Sequence, residues 1–156
     1  MAGRSIHFMT DVLFYHLEPR PLEAVLPALL EKTIERGWRA VVEVGSTERA
    51  EALDSHLWTY REDSFLAHGL AGEETDMHQP VLLTTGTDNP NSANVRFFVD
   101  RAVPQSADGY ERIVYMFSGH DPDAVAEARL AWVALKANNT LTYWQQEADG
   151  RWDKKA

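Results

Sequence analysis

Trp38–Val44 (WRAVVEV) runs into Gly45-Ser46 and then, past Thr47, into Glu48–Trp58 (ERAEALDSHLW). The first stretch is rich in valine and lacks strict apolar–polar alternation, so it reads as a strand covered on both faces. Ser46 or Thr47 suits the N-cap of the helix that follows. Ala50, Leu53, Leu57 and Trp58 form that helix's expected inward set. A strand covered on both sides that feeds a helix across a glycine turn is half of a βαβ unit. The same alternation continues in both directions from it.

On the N-terminal side, Val12–His16 reads as a short buried strand, and Pro19 and Pro21 punctuate its end. Leu22–Arg36 reads as a helix, with Leu22, Val25, Leu26, Leu29, Leu30 and Thr33 at helical spacing. Pro27 lies inside it as a kink or the mark of a late start, and Gly37 stops it. On the C-terminal side, Tyr60–Pro80 reads as a long loop. Strands are expected at Val81–Thr84, Val95–Asp100, Arg112–Phe117 and Thr140–Gln146, with Thr85–Asn94 a polar loop. Asp121-Pro122 is an N-cap and N1 pair that opens a helix to about Ala137. Residues 148–156 read as a loose polar tail. Five or six strands with helices between them predict a single three-layer α/β domain with a mostly parallel central sheet.

The composition is that of an ordinary soluble domain: 156 residues, 44% hydrophobic and 25% charged. Lys and Arg number 15 against 24 Asp and Glu, a formal charge of −9. Direct grip on a phosphate backbone needs a basic face, so no direct nucleic-acid binding is expected. There is no cysteine, which excludes disulfides, thiolate nucleophiles and cysteine-ligated zinc or iron–sulfur sites. No apolar run approaches the ~20 residues of a membrane span. Met1–Thr10 does not read as a secretory signal, and a cytoplasmic location is the expectation.

Sequence motifs exclude several chemistries. No glycine is followed by lysine and no G-x-G-x-x-G occurs, so neither a P-loop nor a dinucleotide fingerprint is present and no cofactor is expected. There is no G-x-S-x-G elbow and no H-E-x-x-H. Ser118-Gly119-His120-Asp121 lies where a strand meets a helix, and a small hydrolase or transferase using Ser118 and His120 is the rival reading. Neighbours in sequence do not stack into a relay, however, and Asp121 already serves as a cap. His68 and His78, with Glu73, Glu74 and Asp76 between them, match no closed zinc set, so no metal is expected. Val125, Arg129, Trp132 and Lys136 fall on one stripe of the last helix. Such a stripe either buries Trp132 while the bases snorkel, or binds a peptide that carries an aromatic and carboxylates. Trp58, Phe65 and Leu66 form a second apolar group, which either tucks onto the core or meets a partner.

Taken in order, FYHL (Phe14–Leu17), LDSHLWT (Leu53–Thr59), SFLAHG (Ser64–Gly69), QPVLLT (Gln79–Thr84) and Arg129-x-x-Trp132 followed by LTYW (Leu141–Trp144) resemble the chi subunit of bacterial DNA polymerase III holoenzyme. The likeness runs over residues 9–146. It implies a Rossmann-like fold without a nucleotide site. It also implies a non-catalytic, clamp-loader-associated subunit that links the polymerase to single-stranded-DNA-binding protein. One face would hold that protein's acidic C-terminal tail, which ends in Pro-Phe. The matching positions are Arg129 and Trp132, bordered by Val125, Val133 and Lys136. Val133 stands where the family often places Lys, and Val125 stands where a Lys occurs one turn earlier, so weak tail binding is expected. Another face would take the psi subunit or a helicase-like partner, with Phe65 at the family's partner-face phenylalanine and Trp58, Leu66 and His68 around it. The family's usual start falls near Met9. Residues 9–147 are therefore expected to form the domain, 1–8 an N-terminal extension and 148–156 a tail.

Overall fold

The computed structural model describes residues 10–59 and 66–156. The elements are β1 (Asp11–Leu17), α1 (Leu22–Glu35), β2 (Ala40–Val44), α2 (Thr47–Thr59), β3 (Gly69–Leu70), β4 (Val81–Thr84), β5 (Val95–Val99), β6 (Arg112–Ser118), α3 (Pro122–Lys136), β7 (Thr140–Gln146) and β8 (Trp152–Lys154). A single 3-10 turn, Asp76–His78, lies between β3 and β4.

Among the described residues the strands form one eight-stranded sheet in the order β3-β4-β2-β5-β6-β1-β7-β8. Every pairing is parallel except β7 with β8. Strands β4 and β5 are buried along their whole length, as strands covered on both faces must be. Successive side chains of the inner strands serve two cores. Val42, Val44, Phe97 and Met116 pack with Leu26 and Leu30 of α1 and with Leu53 and Leu57 of α2. Phe14, Phe98, Tyr115 and Phe117 pack with Ala124, Ala128, Ala131 and Leu135 of α3. The three layers are therefore α1 and α2, the sheet, and α3.

Pro27 neither kinks α1 into two pieces nor delays its start, because the helix runs through it from Leu22. A proline there supplies no N–H for the carbonyl one turn back, that of Glu23. The Nε2 of His56 on α2 takes up that carbonyl at 2.8 Å. A proline in one helix is thus compensated by a histidine from its neighbour.

Three expectations are corrected. First, the sheet has more than five or six strands, because Tyr60–Pro80 is not all loop: β3 adds a short strand on β4. Second, the tail is not loose. Glu147 N–H donates to the Arg151 carbonyl at 2.7 Å and β8 folds back on β7, through an Asp149-Gly150 turn with Gly150 at φ 88°. Trp152 then packs edge-on against Tyr15 at 4.9 Å. Third, Trp58 does not point inward. It is 49% exposed, because it lies about 100° around α2 from the stripe of Ala50, Leu53 and Leu57.

Candidate functional site

Helix α3 begins where β6 ends. Asp121 caps it, its Oδ1 accepting from the N–H groups of Asp123 at 3.0 Å and Ala124 at 3.3 Å. Alanines at 124, 128 and 131 form its inward face, so the helix lies close to the sheet. That packing fixes what the rest of the helix presents. Val125 and Trp132 sit at the border, partly buried against the core. Arg129, Val133 and Lys136 are exposed, with Val133 at 73% and its neighbour Leu130 at 72%.

Trp132 wedges between strand and helix. Its ring meets Phe14 edge-on at 5.2 Å and Tyr143 at 6.0 Å. Phe14 and Tyr143 are themselves stacked, with centroids 6.3 Å apart. The two alternatives for the stripe therefore combine. The inner edge of Trp132 is core, and its outer edge forms a wall beside Arg129. Among the described residues no carboxylate pairs with Arg129 or Lys136. The Arg129 charge reaches Tyr143: burial pushes that phenol up and Arg129 pulls it partway back, while Glu18 pushes it up further.

Tyr143 also leads to a set of polar groups that sequence reading passed over. Its hydroxyl lies 2.6 Å from His16 Nδ1, and His16 Nε2 lies 2.5 Å from a Glu18 carboxylate oxygen. Gly119 seals this arrangement, since a Cβ there would collide with the His16 ring. His16 and Tyr143 face each other because β1 and β7 are parallel neighbours with Phe14 opposite Tyr143 and His16 two residues further on. The FYHL and LTYW runs carry both residues, but only strand pairing shows that they meet.

The rival pair does not form a relay. Ser118 Oγ accepts from the backbone N–H of His120 at 3.2 Å, while the His120 ring reaches the Glu18 carbonyl at 2.7 Å and is 71% exposed. Neither side chain addresses the other. Among the described residues no group of three or more His, Asp or Glu side chains could hold a metal. His68 is buried, whereas Asp76 turns its carboxylate onto the backbone N–H groups of Gly72 at 2.8 Å and Glu73 at 3.0 Å.

The second apolar group lies on the α1/α2 face. Phe65 falls outside the described residues. Leu66 is buried within the core cluster, so it does not present a surface of its own. The His68 ring is fully enclosed. Its Nδ1 lies 2.7 Å from the Leu66 carbonyl, and its Nε2 lies 3.2 Å from the Asp54 carbonyl and 3.1 Å from the Asp54 carboxylate. Trp58 lies over that ring with centroids 4.2 Å apart. Among the described residues this side presents a half-exposed indole on a fixed imidazole, at the sheet edge formed by β3.

The family model described as DNA polymerase III chi subunit, HolC, matches residues 9–142. A relative from Rickettsia prowazekii (strain Madrid E), the probable DNA polymerase III subunit chi, is 29% identical over 91 residues, covering 58% of this chain and 55% of its own length. The DNA polymerase III subunit chi of Pseudomonas aeruginosa is 27% identical over 108 residues, covering 67% of this chain and 75% of its own length. The match thus spans little more than half of the Rickettsia protein. No helix among the described residues is long and apolar enough to cross a membrane. With its mostly parallel α/β sheet and a family match across most of its length, the chain belongs to the DNA polymerase III chi subunit family.

Proposed function

We propose that this chain is a non-catalytic accessory subunit of the polymerase III holoenzyme that holds the acidic C-terminal tail of single-stranded-DNA-binding protein on the exposed side of α3. The observation that carries this reading is the exposed Arg129 guanidinium, which has no carboxylate partner among the described residues, beside the Trp132 wall. A tail carboxylate would meet Arg129 in a charge-assisted contact, and the terminal Phe would lie against Trp132, Val125 and Val133. Lys136, one turn further, adds only screened attraction. With Val133 fully available as an apolar contact but carrying no charge, the site favours the Phe over the acids. Binding near the micromolar range or weaker follows, about −8 kcal/mol or less in magnitude.

Titration calorimetry with an acidic peptide ending in Pro-Phe tests this. Arg129→Ala should cost about 1.5–3 kcal/mol of binding, and deleting the final Phe should abolish measurable heat. Equal heats for the wild type and Arg129→Ala would overturn the reading.

A second partner, psi or a helicase-like protein, is proposed for the edge that carries Trp58. Half-exposed Trp58, held rigidly on His68, supports it, since rigid aromatics are frequent interface anchors. The sequence charge of −9 supports contact with DNA through protein partners.

A further inference from the structure

A groove of about 310 Å³ runs between α1 and the β7–β8 hairpin. It lies on the α1 face of the sheet, across from α3 and the tail site proposed above. Its floor is aromatic, with Tyr15 on β1, Trp144 on β7 and Trp152 on β8. One wall is α1, which turns Ala24 and Ala28 toward it, both exposed. Alanines one turn apart keep that wall low, so the helix leaves the floor open. The volume is at the lower end of small-ligand sites, about 300–1,000 Å³. The family match ends at residue 142, and Trp144 and Trp152 lie beyond it.

Bases stand along this face without acids. Arg20 lies against Gly150 in the hairpin turn, where a Cβ would come within 2.9 Å of its Nε. Lys32 lines the groove further along α1. Arg36, one turn past Lys32, and Arg112 on β6 hold their guanidinium carbons 4.2 and 5.5 Å from the centre of the Trp38 ring. The Arg112 charge reaches the floor: burial pushes the Tyr15 phenol up and Arg112 pulls it partway back.

Other arginines are neutralised, Arg49 by Glu23 and Asp100, Arg96 by Glu43, and Arg101 by Glu127 and Asp121. The hairpin's own acids are engaged within it, Asp149 with Arg151, and Glu147 and Asp153 with Lys155. Asp11 is opposite Arg112 in the register of β1 and β6 and makes no ion pair with it. Among the described residues no carboxylate pairs with Arg20, Lys32, Arg36 or Arg112. In a chain with 24 acids and 15 bases, this is a local positive field over an aromatic slot.

That combination selects a ligand that is apolar in the middle and anionic at its ends. A nucleic-acid strand fits less well, because it needs free aromatic faces for its bases. Trp38 lies under two guanidiniums, and Tyr15 and Trp152 meet edge to face. A charge on every nucleotide is also opposed by the −9 of the whole chain.

We propose that this groove binds an extended acidic peptide segment of a partner protein. An apolar side chain of the segment lies on the Tyr15, Trp144 and Trp152 floor, and a carboxylate at each end meets Arg20 or Lys32. At 1.5 Å per helical residue these two bases stand roughly 15–18 Å apart, a span that an extended chain covers in about five residues. Arg20 can hold its carboxylate through two N–H groups, whereas Lys32 acts as a point charge. Arg36 and Arg112 contribute through their field alone. The proposal does not depend on the tail site.

The test is an NMR titration of the ¹⁵N-labelled full chain with a Glu-Gly-Phe-Leu-Gly-Glu peptide blocked at both ends, which has no terminal carboxylate and no terminal Phe. Saturable shifts are expected at the indole N–H groups of Trp144 and Trp152 and at the amides of residues 24–32, weakening as salt rises. The same peptide with Gln in place of both Glu should bind severalfold more weakly. Lys32→Glu should weaken binding severalfold. Ala28→Glu, which narrows the slot and adds a like charge, should weaken it by about tenfold or more. Both positions are exposed on a helix, and thermal melting checks that each variant is folded. Arg129→Ala should change nothing, which separates this result from that of the tail site. Absence of saturable shifts would overturn the proposal, as would equal binding of the Glu and Gln peptides or shifts confined to α3. Stronger shifts of the groove residues by an oligodeoxythymidylate than by the peptide would overturn it in favour of a nucleic-acid strand.

Discussion

Trp132 and Trp58 stand on opposite faces of one sheet, each on a helix and each partly outside the protein, yet what lies beneath them differs. Trp132 rests on a stack of aromatics, Phe14 and Tyr143, with the Arg129 cation beside it. Among the described residues Trp58 rests on the His68 imidazole, whose ring nitrogens are held by backbone carbonyls and the Asp54 carboxylate. The difference shows that an aromatic at a helix border serves stability in proportion to what it displaces. The first tryptophan closes a core and offers only its outer edge to a partner. The second leaves about half of its surface exposed and sits on a ring that is itself fixed.

The sharpest way to break this comparison is to truncate each residue in turn. Trp132→Ala removes two edge-to-face contacts and opens a gap over Phe14. It should destabilise the fold by roughly 3 kcal/mol. Trp58→Ala should cost under about 1 kcal/mol, as exposed positions do. Urea denaturation of the two variants measures both. Equal losses would show that the Trp58–His68 pair is a structural element like the other.

Tyr115, in the aromatic cluster beneath Trp132, gives that side an alkaline weakness. Burial, reinforced by the Glu127 charge, pushes its phenol from 10.0 up to about 12. The sign follows from proton counting. Above pH 10 the unfolded chain has lost this proton while the folded chain still holds it, so stability falls as pH rises, and the loss is complete above about 12. The size is at most on the order of 2–3 kcal/mol, about 1.4 kcal/mol for each decade of shift before solvent screening. Denaturation midpoints measured from pH 8 to 12 should fall less steeply in Tyr115→Phe than in the wild type. Parallel pH profiles would show that the phenol is solvated in the fold.

The α/β class was readable because β2 and β4 are valine- and leucine-rich strands without alternation, and because caps such as Asp121-Pro122 announce helix starts. The Arg129–Trp132 stripe was readable from helical spacing alone. Other features lay beyond a linear reading, for reasons that can be named. Strand β3 is two residues long and exists only because β4 offers it an edge. Arg96, buried at the centre of β5, reads as a solvent residue until Glu43 on β2 is seen to reach it at 2.7 Å, with the Gly86 carbonyl at 2.6 Å. The His16–Tyr143 contact joins residues 127 apart in sequence. Trp58 was misplaced because a hydrophobic residue beside an inward Leu57 was counted with it, although adjacent residues face different directions. The Asp149-Gly150 turn went unread, because the polar residues around it read as a loose tail and masked a hairpin.

The smallest expected effect concerns how α2 is held so that Trp58 stays outside. Two residues before Trp58, His56 sends its Nε2 across to the Glu23 carbonyl of α1, the acceptor that Pro27 leaves unmatched. If this bond fixes α2 on α1, His56→Ala should cost about 1 kcal/mol, the net value of one hydrogen bond with its acceptor left unpaired. Part of that cost should disappear in a Pro27→Ala background, where residue 27 regains an N–H for the same carbonyl. Pro27 is buried, so the single change Pro27→Ala carries its own packing cost, and the coupling between the two changes is the quantity that decides. A double-mutant cycle by chemical denaturation should give a coupling of roughly 0.5–1 kcal/mol. Strict additivity would mean that water satisfies the Glu23 carbonyl and that His56 only fills space between the helices.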